Sequence, residues 1–124
     1  MPSSSLVGRS ILIVEGEPLI AMDIADAFAR AGARVMQVQS LKAALAATED
    51  TTLSAAIIEH LLSDGDSTGL CARLCERKIL CVVYTGYPKL EMPLAGALHV
   101  PKPADPQLLV TMVSALLEGR STLH

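Results

Sequence analysis

Apolar and polar positions along this chain follow two alternating periods. Ile11-Leu12-Ile13-Val14 is a short, branched, unbroken apolar run, which predicts a strand covered on both faces within a parallel sheet. The period then changes. Ile20, Ile24, Ala27, Phe28 and Ala31 recur at helical spacing while Asp23, Asp26 and Arg30 fall elsewhere, with Pro18 suited to a first turn and Gly32 to a helix end. Arg34 to Gln39 alternates apolar with polar and predicts an edge strand. Ser40 is placed to cap a helix over Leu41 to Thr48, and Ala55 to Ile58 forms a further buried strand that runs into Glu59 and His60. After the polar stretch Ser63 to Gly69, a helix is expected over Leu70 to Arg77, a strand over Ile79 to Tyr84 and a weaker strand over Ala97 to Val100. The chain closes with Asp105 as a cap, Pro106 at the first helical position, and an apolar stripe of Leu108, Leu109, Met112, Val113, Leu116 and Leu117.

Five strands alternating with about five helices predict an α/β protein: right-handed crossovers make a three-layer sandwich around a parallel sheet, with the working residues on loops at the strand C-termini. The 124 residues suit one domain, with a core expected over about 10–118. Hydrophobic residues make up 51% and charged ones 19%, with a net charge of −3, which excludes a disordered chain. Ten scattered Lys and Arg, with one Phe, two Tyr and no Trp, argue against nucleic acid as a partner. No apolar run approaches the roughly 18 residues of a membrane span, and Met1 to Ser5 does not resemble a secretion signal, so a cytoplasmic protein is expected. Cys71, Cys75 and Cys81 follow neither a disulfide framework nor a zinc spacing and read as buried thiols.

The chemistry gathers where strands end. The first ends in Glu15-Gly16-Glu17, the third in Glu59-His60, the fourth in Thr85-Gly86 and the fifth in Pro101-Lys102-Pro103, which brings carboxylates, a hydroxyl and an ammonium to one sheet edge. The stretches ILIVEGEPLI (11–20), AAIIEHLLSDGD (55–66), VVYTGYP (82–88) and VPKPAD (100–105) resemble those of response-regulator receiver domains of bacterial two-component signalling, from Ser10 to about Leu117. The resemblance implies a CheY-like, flavodoxin-like sheet of order 2-1-3-4-5. It also implies an acidic pair that holds Mg²⁺, an acceptor Asp on the third strand that takes phosphate from a histidine kinase, a Thr and a Lys that contact the phosphoryl group, and a cis Lys102-Pro103 peptide.

Glu15, Thr85 and Lys102 match that pattern, but Gly16 stands at a Mg²⁺-ligand position and Glu59 at the acceptor position. Mg²⁺ needs near-octahedral oxygen geometry, so Glu15 and Glu59, with Glu17 nearby, promise weak binding at most, and no cofactor is expected. The extra methylene of Glu59 displaces its oxygen from the in-line geometry of phosphoryl transfer. Glu59 is instead expected to reach Lys102, an attraction of about 4 kcal/mol at 4 Å and an effective dielectric near 20, before desolvation. Two readings of that pair stay open: Glu59 stands in for the charge of an aspartyl phosphate, or it simply neutralises a buried Lys.

These departures describe a stand-alone, pseudo-receiver-like protein that is no enzyme and acts through contacts with a protein partner, a histidine kinase or another signalling protein, with a homodimer as a further option. A receiver that still takes phosphate on Glu59, Asp64 or Asp66 is the alternative within signalling, although Asp64 and Asp66 read as turn residues making local hydrogen bonds around Gly65. A small flavin-binding domain on the same architecture is another, opposed by the carboxylates of Glu15 and Glu17 at its phosphate position. His99 occupies the switch position of receivers and reads as a half-exposed strand residue, and His60 lacks the helical setting of a phosphodonor histidine. Between Thr85 and Lys102, Pro88, Pro93 and Gly96 predict a fourth helix shortened or absent, which leaves Leu90, Met92 and Leu94 either exposed as a contact patch or folded onto the sheet.

Overall fold

The computed structural model describes residues 5–86 and 97–121. Strands β1 (Ser10–Val14), β2 (Arg34–Val38), β3 (Ala55–Ile58), β6 (Leu80–Thr85) and β7 (Ala97–Pro101) form one parallel sheet of order β2-β1-β3-β6-β7. Counting only sheet strands, that is the expected 2-1-3-4-5. Two-residue strands β4 (Leu61–Leu62) and β5 (Gly65–Asp66) add a small antiparallel hairpin that the hydropathy pattern does not announce.

Helices α1 (Pro18–Arg30) and α4 (Pro106–Ser121) cover one face, and α2 (Leu41–Ala47) and α3 (Thr68–Glu76) the other. Strand alternation sorts the core accordingly. Ile11, Ile13, Ile57, Val82 and Tyr84 point to α1 and α4, while Leu12, Val14, Ile58, Cys81 and Val83 point to α2 and α3. The three inner strands are buried along their whole length, which is why they read as unbroken apolar runs; edge strand β2 has no fully buried residue.

Pro18 opens α1 as expected, and Ala31 caps it before Gly32 turns the chain with φ +97°. A Cβ at Gly32 would meet the Val7 side chain at 2.6 Å, so both the backbone angle and the close approach require glycine there. Leu6 is fully buried next to this turn, its amide donating to the Ala31 carbonyl at 3.0 Å.

Two expectations need correction. The inward stripe of the last helix is Leu109, Val110, Val113 and Leu117, whereas Leu108 and Leu116 are 48% and 40% exposed. The helix presents a narrower face to the sheet than a stripe of paired leucines suggests, and a position at its boundary looks apolar in sequence whether or not it is covered. Helix α3 begins two residues before Leu70, because the Asp66 carboxylate accepts from the Thr68 amide at 3.0 Å and closes the turn that starts it. The expected remodelled fourth helix, with Leu90, Met92 and Leu94, lies outside the described residues.

Candidate functional site

The sheet ladder aims the site. One residue beyond each strand, Glu15 N–H donates to the Val38 carbonyl (3.1 Å), Glu59 N–H to Val14 (2.9 Å) and Lys102 N–H to Thr85 (2.9 Å). These bonds hold the three residues at the same edge although they come from three separate crossovers. Lys102 Nζ lies 2.6 Å from Glu15 Oε1 and 2.7 Å from Glu59 Oε1. The side chains are 16%, 5% and 11% exposed respectively, so all three groups lie largely out of water.

Each remaining carboxylate oxygen is also held. Glu15 Oε2 accepts from the Glu17 amide at 3.0 Å, and Glu59 Oε2 accepts from the His60 amide at 2.5 Å and, more loosely, from Leu61 at 3.4 Å. Burial pushes the Glu59 carboxyl up, but the Lys102 ammonium, the Thr85 hydroxyl and the His60 amide outweigh it and leave its pKa below the usual value. Lys102 shows the mirror image: burial lowers its pKa, and hydrogen bonds to Glu15 and Glu59 more than reverse that, leaving it raised. Glu59 and Lys102 are therefore both ionised throughout the neutral range.

Below Lys102, Tyr84 supplies a support that the motif reading misses. Its hydroxyl accepts from the Ala104 amide at 2.8 Å and donates to the Ala104 carbonyl at 3.2 Å, and the ammonium lies 5.5 Å from its ring centroid. The loop between runs through a cis Lys102-Pro103 peptide, as the resemblance implies. A buried aromatic closing a strand gives no signal of its own in sequence, since it looks like any core residue.

An open cleft of about 540 Å³ lies over the cluster, bordered by Glu15, Gly16, Glu17, Gln39, Ser40, Glu59, Leu61, Leu62, Ser63 and Lys102. The β4–β5 hairpin walls one side. Here Asp64 does more than the local bonding expected of it: besides its own amide, its carboxylate reaches the first turn of α2, accepting from Leu41 at 2.8 Å and Lys42 at 3.0 Å. Together with Ser40 Oγ, which accepts from Ala43 at 3.1 Å, it satisfies three of the four amides that a helix start leaves unpaired. Asp66 does bond locally, as expected for a turn residue. Neither aspartate's carboxylate is directed at Lys102.

Glu17 is exposed and borders the cleft through its position, while its amide serves Glu15. Thr85 is buried against Glu59. His99 sits on β7, half-exposed, paired in register with Val83. The buried Nδ1 of His60 has no hydrogen-bond partner among the described residues, and the residue lies at the root of the hairpin, not in the cleft.

The divalent ion that the receiver resemblance implies does not fit these residues. Gly16 offers no carboxylate, and the nearest oxygens of Glu15 and Glu59 are both turned onto an ammonium at hydrogen-bond distance, which fills the place of a cation. Among the described residues no group of three metal-ligating side chains converges. Gly16 is not forced by sterics, because a Cβ there would come no closer than 3.8 Å to the Gln39 carbonyl.

No family model and no curated protein matches the chain. Solved structures do. A CheY-like response regulator receiver domain protein from Methanospirillum hungatei JF-1 superposes with a TM-score of 0.85 over 94% of this chain and 98% of that one, at 24% identity. A response regulator receiver domain protein from Clostridium thermocellum gives 0.82 over 94% and 99%, at 18% identity. A two-component response regulator from Clostridium difficile gives 0.81 over 92% and 98%, at 20% identity. These likenesses establish the CheY-like receiver fold.

Proposed function

We propose that this protein is a signalling module of the receiver type that has exchanged phosphorylation chemistry for a permanent acid–amine cluster and works through contacts with a protein partner in the cytoplasm. The observation that carries this reading is the double engagement of Lys102 by Glu15 and Glu59. In the receivers this sequence resembles, a lysine at this place meets a phosphoryl group. Here it is neutralised without one. Thr85, buried against Glu59, is held by the same carboxylate, so the end of β6 has a fixed partner where a switchable protein would have an intermittent one.

Phosphoryl transfer to Glu59 is disfavoured by the same geometry. One of its oxygens accepts from Lys102 and the other from backbone amides, and the added methylene carries both away from the place an aspartate oxygen would take, so in-line attack on phosphorus would first require these hydrogen bonds to rearrange. A reading without catalytic turnover is supported by the described residues at this edge, among which no nucleophile, base and orienting group are combined. No helix among the described residues is long and apolar enough to cross a membrane.

The test is direct. Incubation with acetyl phosphate and Mg²⁺, followed by intact-mass measurement, is expected to leave the protein unmodified. A labile phosphoryl adduct on Glu59 would overturn the proposal in favour of a working phosphoacceptor. Restoring both missing groups, Gly16→Asp with Glu59→Asp, is sterically open at position 16 and is expected to bring back Mg²⁺-dependent labelling and to weaken capture of the native partner from lysate. Unchanged capture by the double variant would separate partner binding from the cluster.

A further inference from the structure

Away from the cleft, three thiols meet where α3 packs on the sheet. Cys71 and Cys75 lie one turn apart on that helix, and Cys81 lies in β6, which α3 covers. Cys71 and Cys81 are buried and Cys75 is half-exposed; none is in a disulfide. Cys81 is the common neighbour: Cys71 and Cys75 of α3 pack with it in one core cluster, within side-chain reach of its sulfur. Three mutually adjacent thiols are more than apolar filling requires, since filling alone places no demand that sulfurs meet.

We propose that this cluster is an oxidation site at which a hydroperoxide oxidises Cys75 and Cys81 then closes on it as an intrachain disulfide. The half-exposed Cys75 is the thiol a peroxide can reach. Its sulfur attacks one peroxide oxygen, the O–O bond breaks, and Cys75 becomes a sulfenic acid while the remainder leaves, with the thiol's proton, as an alcohol, or as water from hydrogen peroxide. The Cys81 sulfur then attacks the sulfenic sulfur, the S–O bond breaks, and hydroxide leaves as water with the Cys81 proton. Two thiols and one hydroperoxide thus give one disulfide, one water and one alcohol.

Cys71 has the part of a relay. The hydrogen bond from Cys81, which outweighs burial, keeps the Cys71 thiol below its ordinary range, while the same bond and burial push Cys81 up. Cys81 is therefore a poor first nucleophile and gains from a sulfur beside it that can accept its proton during the closing step. The resulting bridge ties α3 to the strand that ends at Thr85, linking the redox state of one face to the cleft.

Treating the full chain with hydrogen peroxide, blocking residual thiols and mapping by non-reducing digestion is expected to give a product lighter by two hydrogens, with a linked Cys75–Cys81 peptide that dithiothreitol reverses. Cys75→Ser, at a half-exposed helical position that leaves the core intact, loses the link entirely, and Cys71→Ser slows its formation. In Cys81→Ser, Cys75 accumulates as a sulfenic acid that dimedone traps. If that variant does not fold, the Cys75→Ser result decides alone. Wild-type Cys75 running on to sulfinic acid without a link, a link that uses Cys71 in place of Cys81, or an unreactive Cys75 would each overturn the proposal.

Discussion

On the α1/α4 side of the sheet, Phe28, Ile24, Leu109, Val113 and Leu117 meet Ile11, Ile13 and Val82 in a continuous apolar layer carried by two long helices. On the α2/α3 side the helices are seven and nine residues long, and α2 buries Ala44 alone. That thinner layer is fastened by polar reach: Asp64 to the α2 amides, Ser40 to Ala43, and the Arg77 guanidinium to the Thr48 carbonyl. The cleft opens on this side, between the start of α2 and the hairpin. A layer held by directional bonds at its rim can carry a polar cleft without breaking a hydrophobic seal, because little apolar area lies there to be exposed.

The contrast can be pressed at four points. Phe28→Ala removes the largest fully buried side chain of the thick layer and is expected to destabilise by about 4 kcal/mol in urea denaturation, independently of pH between 5 and 9. A loss below roughly 1 kcal/mol would show that layer to be malleable. Next in size, Lys102→Met leaves Glu15 and Glu59 facing each other unpaired and costs about 3 kcal/mol at neutral pH. Unlike the first loss, this one shrinks on acidification, because protonating either carboxylate removes the repulsion.

The third point is the pH dependence of the intact cluster. Glu59 titrates below its ordinary value of 4.5, so its contribution is complete above that pH and is lost as pH falls through the depressed value. Lys102 titrates above 10.5, so its contribution is complete below that pH and is lost as pH rises through the raised value. The melting temperature should therefore hold across the neutral range and fall at both extremes, and Glu59→Gln should flatten the acid limb while costing about 1–2 kcal/mol at pH 7. An acid limb unchanged in that variant would assign it to other carboxylates. Smallest is Asp64→Ala: faster hydrogen exchange at the Leu41 and Lys42 amides, with the α1/α4 layer untouched. Equal loosening of both layers would erase the distinction between them.

Much of this was legible beforehand, for reasons that particular residues make plain. Ile11 to Val14 and Ala55 to Ile58 announce central strands because both faces are covered, and Ser40, Pro18 and Gly32 mark helix ends through backbone rules that act within a few positions. The meeting of Glu59 with Lys102 was expected from their places at strand ends. The share taken by Glu15, equal to that of Glu59, was not, since a carboxylate in that position reads as a metal ligand. Leu108 and Leu116 misled because apolarity in a helix marks a face only to within its edges.

The order of residues alone determined the alternation of strands and helices, the strand ends on which acids and an amine would stand, and the presence of Gly16 and Glu59 at the positions where the resemblance to receivers implies a carboxylate and an aspartate. Tertiary structure decided which oxygens bind Lys102, that Asp64 fastens a helix 23 positions away, and that Cys81 sits against two thiols of α3. Periodicity and capping are written in neighbouring residues. Contacts across 23, 43 and 87 positions depend on how crossovers stack and where each side chain's reach ends, and those are settled only when the sheet is assembled.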